Sequence, residues 1–435
     1  MSLSTKSTYN LKVVVKKTGI AADTLRAWER RYGLPIPERT PGGHRLYSQR
    51  DIEIIKWLME KQKEGLSISR AVDLWNELSA SGQSPLPAPV SQNISHVPAT
   101  SLEAARKAWL DACLAFNETE AEHILNQAFA ANSVELVCTE VVQRGLFEIG
   151  ELWYQNKASV QQEHFASGLA MRRMEVLLSA SPPPTRAETI LTACPPDELH
   201  VFPMLMLTLF LRRRGWNVIH LGANVPIERM REAILSILPA LVVLSAQQLI
   251  TAVSLRNMAR FLRENNVQTG FGGRAFNHIS GLNEHIPAHY LGATIEMSLQ
   301  KIETLSINPV PAPVGSPTSE TDRAVIADFA QKRPLIEATL SEELQAKGID
   351  LTHFNTATHF IGNTISAALE MGNLQYLNAD MDWLRNLLTP RGIPTSVLPT
   401  YLQIYEQAIT RTMGSSGKAI TLWLNLFHQQ ISQSL

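Results

Sequence analysis

Along the chain the apolar positions change rhythm several times. Between 99 and 183 they recur every three or four residues, in AARKAWLDACLAF and VELVCTEVVQRGLFEIGELW, the spacing of one helix face. From 184 to 307 short apolar runs (TILTA, WNVIHLG, ALVVLS and the run into VQTGFGG) alternate with amphipathic stretches such as MLMLTLFLRRRG and IERMREAILSI. That alternation predicts βαβ units around a parallel sheet. Residues 322–435 keep the helical rhythm throughout, about six helices by pattern. Residues 1–78 begin with two short helical stretches split at Gly19, followed by a glycine turn and two more helices, roughly Gln49–Glu64 and Ser67–Leu78. Two segments rich in Pro, Ser and small residues, 79–98 and 308–321, read as linkers. The expectation is a multidomain α and α/β protein with pieces at 1–78, 99–183, 184–307 and 322–435.

A length of 435 residues suits two to four domains. An apolar fraction of 45% with 18% charged residues is that of a chain with cores to bury, and excludes a disordered one. Three cysteines (Cys113, Cys138, Cys194) without CxxC spacing argue against a disulfide framework and a cysteine-ligated zinc site. The N-terminus lacks an apolar signal core and no apolar run reaches ~18 residues, so a cytoplasmic protein with no membrane partner is expected. The net charge of −1 is a cancellation. Residues 1–78 carry 14 Lys+Arg against 9 Asp+Glu, a net of +5; the remaining 25 basic and 31 acidic residues leave −6. A basic module on an acidic body makes nucleic acid a candidate partner.

In that module LKVVVKKTGI and AADTLRAWERRYG have helix-turn-helix spacing, the second helix offering its N-terminal side chains to the major groove. Thr24, Arg26 and Arg30 are the exposed candidates, with Leu25 and Trp28 packed inward. PERTPGGHRLYS then reads as a wing whose His44, Arg45 and Tyr47 suit phosphate contacts. The bland alternative is a small helical module with a solvated basic face. The ordered string TGI…TLRAWERRYGLP…R…GGHRLYS resembles the winged helix-turn-helix domain of MerR-type regulators over about 70 residues. The resemblance implies a dimer on double-stranded, pseudo-palindromic operator DNA. The cysteine pair of MerR metal sensors is missing, and the metal-sensor reading is set aside.

In the βαβ region, His200 follows the end of the first strand, where ligands sit in open parallel sheets. Alone, such a His is more often a surface or capping residue. Glu198, two positions earlier, strengthens the ligand reading, because metal-bound His commonly donates its second ring N–H to a carboxylate. Glu198-Leu199-His200, LRRRGWNVIHLGANVP, Leu244-Ser245 and Gly270-Phe271-Gly272-Gly273 together resemble the Rossmann-like (flavodoxin-like) cobalamin-binding domain of methionine synthase and of CarH/LitR-type regulators. The resemblance implies that His200 ligates the cobalt of cobalamin from below, with Glu198 behind it. It implies too that Ser245, Gly272 and Gly273 border the slot for the nucleotide tail, where glycines let a ligand approach the backbone. One position departs: the family pattern has Gly where this chain has Pro203, which is expected to reshape the loop under the corrin.

Upstream, Trp153 precedes Glu163-His164 by nine residues, a spacing similar to the four-helix bundle that caps the corrinoid in CarH-type proteins. By that resemblance Trp153 stacks over an adenosyl group bordered by Glu163 and His164, the carboxylate accepting from ribose hydroxyls. Tyr154 stands where the CarH-type proteins carry a His that captures cobalt after photolysis. In the tail, which has no cysteine for a thioether-linked bilin, His353, His359, Tyr376, Trp383, Tyr401 and Tyr405 are pocket candidates. The favoured alternative is that they are core or interface residues of amphipathic helices. WLRNLLTPRGIP looks similar to photocobilin tails, implying a globin-like all-α domain with non-covalent biliverdin; a dimerisation or docking domain competes. The combined reading is a non-enzymatic, light-responsive transcriptional regulator and homo-oligomer, dimer or tetramer. In it adenosylcobalamin between Trp153 and His200 sets DNA affinity until green or blue light cleaves the cobalt–carbon bond. A light-independent cobalamin or bilin sensor and a corrinoid methyl-transfer protein are the alternatives.

Overall fold

The computed structural model describes residues 7–40, 42–63, 66–80, 101–317, 319–349, 354–378 and 397–434. The chain forms two units, Met1–Ala99 and Thr100–Leu435, each described by itself. In the first, β1 (Tyr9–Asn10) leads into α1 (Leu11–Thr18). The Asn10 side chain accepts from the Val13 amide, and Gly19, at φ 77°, ends the helix with its N–H on the Val15 carbonyl. Only a residue at ease in the left-handed region turns the chain so tightly into α2 (Ala22–Tyr32). β2 (Glu38–Arg39) and β3 (Arg45–Tyr47) form the wing, with β1 as a third antiparallel strand in the order β1-β3-β2. α3 (Gln49–Lys63) and α4 (Ile68–Ala80) close a core of Val14, Leu25, Trp28, Tyr47, Ile55 and Trp75.

The second unit opens with α5 (Leu102–Leu114), α6 (Glu118–Ala131), α7 (Val134–Val137) and α8 (Arg144–Tyr154). α7 and α8 are joined without a break by a π-helical stretch at Cys138–Gln143. α9 (Val160–Ser179) starts at a capping box in which Ser159 and Gln162 satisfy each other's amides. These segments are helical as the periodicity predicts and form the four-helix bundle that the resemblance implies, around Trp109, Leu125, Val141, Ile149 and Leu169.

β4 (Thr189–Ala193), α10 (Phe202–Arg213), β5 (Asn217–His220), α11 (Met230–Ile237), β6 (Leu241–Ser245), α12 (Leu249–Glu264), β7 (Thr269–Gly272), α13 (Arg274–His278), β8 (His289–Tyr290) and α14 (Ile295–Ile307) follow. The five strands are parallel in the order β5-β4-β6-β7-β8, the flavodoxin-like arrangement. Alternate residues of β6 divide between two cores: Leu241 and Val243 join α10 and α14, while Val242 and Leu244 join α12. The fifth strand is too short to leave a periodic signal.

The structure departs from the expected linker at 308–321. Gln268 Nε2 and His289 Nε2 both reach the Val310 carbonyl at 3.0 Å, Arg263 donates to the Val314 carbonyl at 3.1 Å, and the Ser316 amide reaches Glu284. The proline-rich run is a strap tied along the domain, and the tail it leads to is packed onto α12. α15 (Glu320–Ala346), α16 (Phe354–Glu370), α17 (Val397–Met413) and α18 (Lys418–Ser434) share one continuous core with α12. Arg256, only 5% exposed, crosses that boundary to the Glu370 carboxylate at 2.9 Å and to the Glu370 carbonyl at 2.5 Å. His285 Nε2 meets the Tyr376 hydroxyl at 3.1 Å.

Burial and the nearby Arg256 cation push His285 below its ordinary pKa, so the fold holds it neutral. As pH falls through the ordinary His range, the unfolded chain takes up a proton that the folded one resists, and stability declines. His285→Gln is expected to flatten the loss of Tm between pH 7.5 and about 5.5. Thermal melts of both proteins across that range check it; parallel curves would refute the assignment.

Candidate cobalamin and DNA-binding sites

The carboxyl ends of β4 and β6 diverge at the point where strand order reverses, leaving a crevice at the sheet edge. Glu198, fully buried, stands in the loop after β4 and accepts four hydrogen bonds. Oε1 takes the His200 amide at 2.8 Å and His200 Nδ1 at 2.7 Å; Oε2 takes the Gln247 amide and the Thr251 hydroxyl, both at 2.7 Å. Burial opposes its ionisation, but the donors more than offset it and hold the carboxyl below the usual range. An ionised acceptor requires Nδ1 to carry the proton, which in the neutral ring leaves the Nε2 lone pair available. The hydrogen bond to Glu198 raises the His200 pKa against burial; the Glu163 carboxylate raises it further and Arg274 lowers it. The His200 side chain is 57% exposed, an imidazole fixed from behind and open in front.

Beside the dyad, a cavity of about 260 Å³ runs between β6, β7, α10 and α14. Ser245, Gly272 and Gly273 line it, as do Gln247 and the apolar Leu207 and Leu291. The two glycines serve different ends. A Cβ on Gly272 would meet nothing within 4 Å, so its absence widens the cavity. Gly273 has φ 121°, and a Cβ there would come within 2.1 Å of the Ala246 carbonyl oxygen; its role is to let two loops pass. Ser245 is buried and accepts from Gln247 Nε2 at 2.7 Å. Pro203 falls in the first turn of α10, where its missing N–H would have had no helical partner.

In the bundle, Trp153 ends α8 half-buried, its ring 5.0 Å from that of Tyr154. Glu163 lies in the first turn of α9, its carboxylate bonded to His164 Nδ1 and the Ser167 hydroxyl at 2.7 Å each. The His164 side chain is 74% exposed. An imidazole backed by a buried carboxylate, a cavity lined by a serine and a bare glycine, and the field of Glu163 at His200 together fit a cobalamin. His200 would hold the metal, Ser245 and Gly272 would border the tail, and Trp153, Glu163 and His164 would contact the group from the bundle.

In the first unit Thr24, Arg26 and Arg30 are exposed on α2, with Arg26 paired to Asp23 at 3.2 Å, and His44 is exposed on the wing. Tyr47 is not on the surface: it is fully buried, and its hydroxyl donates to Glu29 Oε1 at 2.5 Å. Burial and that hydrogen bond push its pKa well up. Arg45 is half-buried and donates to Glu29 Oε2 at 2.7 Å. The wing residues expected to touch DNA therefore anchor the wing to α2, leaving His44 as the exposed one of the three.

Residues 9–78 match the MerR HTH family of regulatory proteins, and 105–178 and 188–286 match two B12 binding domain families. The HTH-type transcriptional repressor CarH of Myxococcus xanthus is 30% identical over 285 residues, 65% of this chain and 94% of that protein. The chain belongs to the CarH family. It is a cobalamin-binding transcriptional regulator with a MerR-type DNA-binding module. The repressor CarA of the same organism is 30% identical over 55% of this chain and 76% of its own. A Methanosarcina barkeri monomethylamine corrinoid protein of known structure covers 45% of this chain and 96% of its own, at 20% identity and a TM-score of 0.39.

Within this CarH-family chain, Gln247, Thr251 and Glu29 escaped the reading of the sequence. The run SAQQLIT after β6 holds the first two, but nothing local says that they meet a carboxylate about 50 residues earlier. In the tail His353 and Trp383 lie outside the described residues. Tyr401 and Tyr405 are closed core, stacked 6.1 Å apart, Tyr376 turns to His285, and His359 is exposed beside Arg333. Among the described residues, the four remaining pocket candidates do not gather around one cavity.

Gly273→Ala is expected to cost about 2–4 kcal/mol of stability through the Ala246 collision. Gly272→Leu should leave Tm nearly unchanged while filling the cavity and weakening cobalamin retention. Denaturation and cobalamin titration of both variants would refute the division of roles if the effects were exchanged.

Proposed function

We infer that this protein is a light-responsive, adenosylcobalamin-dependent regulator that binds operator DNA as a homo-oligomer. The observation carrying the reading is the His200–Glu198 dyad beside the Ser245–Gly272 cavity, in a chain that also carries a winged helix. Bound adenosylcobalamin supplies a cobalt–carbon bond that visible light breaks. The residues of the chain set what that event changes. Glu198 keeps the His200 ring oriented, and Trp153, with Glu163 and His164, would cover the bound group from the bundle side and exclude water. Trp153, Glu163 and His164 on the bundle and His200 beside the sheet would all contact the bound group, so a change in that group would alter how the bundle sits on the sheet. A ligand shifts DNA affinity only through such a difference between assemblies, dimer or tetramer. With Tyr154 at this position, the residue after Trp153 offers a phenol and no imidazole nitrogen to a bound corrinoid. A non-covalent bilin in 322–435 would be a second chromophore; the stretch that suggests it, 383–394, lies outside the described residues, and Tyr401 and Tyr405 are themselves buried in the core. The winged helix favours a regulator over a methyl-transfer protein, which has no use for one.

Absorption spectra and operator binding of dark-purified protein, before and after green and then red light, test the reading. A spectral change with altered DNA affinity after green light is expected; an unchanged spectrum and affinity would reduce the protein to a light-independent sensor. His200→Ala should lower cobalamin retention at least ten-fold, and full occupancy would overturn the ligand assignment. Arg30→Ala should weaken operator binding and reduce the slope of log K against log salt by about one. An unchanged slope would remove Arg30 from the phosphate contacts.

A further inference from the structure

On the side of α12 away from β6, a second cavity of about 750 Å³ lies between α12, the strap at 314–317 and the first turns of α15. Arg256, Arg260 and Arg263 face it from α12, spaced four and three residues apart so that they share one helix face. Arg323 faces it from α15, and two carboxylates, Glu264 and Glu370, complete its charged lining. Like charges at this spacing repel, and a helix does not gain by collecting them. Glu370 is already engaged by Arg256. Arg263 is held by a carbonyl of the strap, and neither Arg260 nor Arg323 has an acidic partner among the described residues. Arg256 is 5% exposed, and its Nε–H is buried without an acceptor among those residues. All of this stands in a part of the chain whose net charge is −6 outside the first 78 residues.

We propose that this cavity is a binding site for a small organic anion carrying at least two phosphate or carboxylate groups, bridged between the arginines of α12 and Arg323 of α15. The volume lies within the range of about 300–1,000 Å³ common for small-molecule sites. Every cation facing it is an arginine, whose planar fork matches phosphate and carboxylate in a two-point geometry that lysine lacks. An occupant neutralises the repulsion along α12 and ties the tail helices to that helix. Its second consequence follows from α12 itself. The first turn of the same helix carries Thr251, bonded to Glu198, so the anion site and the support of His200 are two ends of one rigid element. Binding energies at two such sites couple reciprocally.

Calorimetric titration of the full chain with pyrophosphate and with citrate, at constant ionic strength, tests the proposal. One saturable site per chain is expected, with Kd below about 1 mM for at least one of the two probes; the stronger probe identifies phosphate or carboxylate as the recognised group. Arg260→Gln and Arg323→Gln should each weaken binding at least ten-fold while leaving the melting temperature and the spectrum of bound cobalamin unchanged. Because the winged helix also attracts anions, Arg26→Ala with Arg30→Ala should bind the probe as the wild type does. Failure of both probes to saturate, binding that survives both glutamine variants, or binding abolished by the winged-helix variant would each overturn the proposal.

Discussion

A carboxylate with no access to solvent is costly unless its lone pairs are taken, and Glu198 resolves that cost with four donors from three segments. The same bonds join the loop after β4 to the turn after β6 and to the first turn of α12. The sheet edge is thereby drawn together at the point where strand order reverses, and the cavity beside it keeps its shape. Orientation of His200 is a by-product of satisfying the buried charge. The ring has its Nδ1 proton committed and its other nitrogen open, the state required of a metal-binding imidazole.

From that anchor the second unit reads as layers: α10 and α14, the sheet, α12, then the tail helices. α12 is buried on both sides, against Val242 and Leu244 of β6 and against α16. Its first turn supports Glu198 and through it His200, and its outer end presents a row of arginines toward the tail. The tail is an extension of the corrinoid domain's own core, although the matched family regions end at residue 286. In the first unit Glu29 has a comparable part on a smaller scale, one carboxylate gripping Arg45 and Tyr47 so that α2 and the wing hold a fixed relation.

Much of this was legible before any coordinates. The turn at Gly19, the four strands of TILTA, NVIH, LVVLS and TGFG, and the helical bundle all follow from local periodicity and from residues whose conformational demands are local. Glu198 and His200 were found because they are two residues apart in a loop that a parallel sheet must place at its edge. Tyr47 was misread for a related reason: Arg-Leu-Tyr beside a glycine turn looks like an exposed wing, and only a strand pairing with Tyr9 turns the ring inward.

The sequence by itself determined the order of elements, the two kinds of domain chemistry and the identity of the dyad, since each is encoded within a few residues or one helical turn. Tertiary structure decided what those residues are bonded to. Thr251 and Gln247 reach Glu198 across about 50 residues, Glu370 reaches Arg256 across more than 100, and the proline-rich strap becomes fixed only because carbonyls at 310 and 314 meet donors from the folded sheet. Periodicity reports which face of an element is apolar. Which partner that face meets, and which buried charge finds its donors, depends on contacts between segments that no local pattern records.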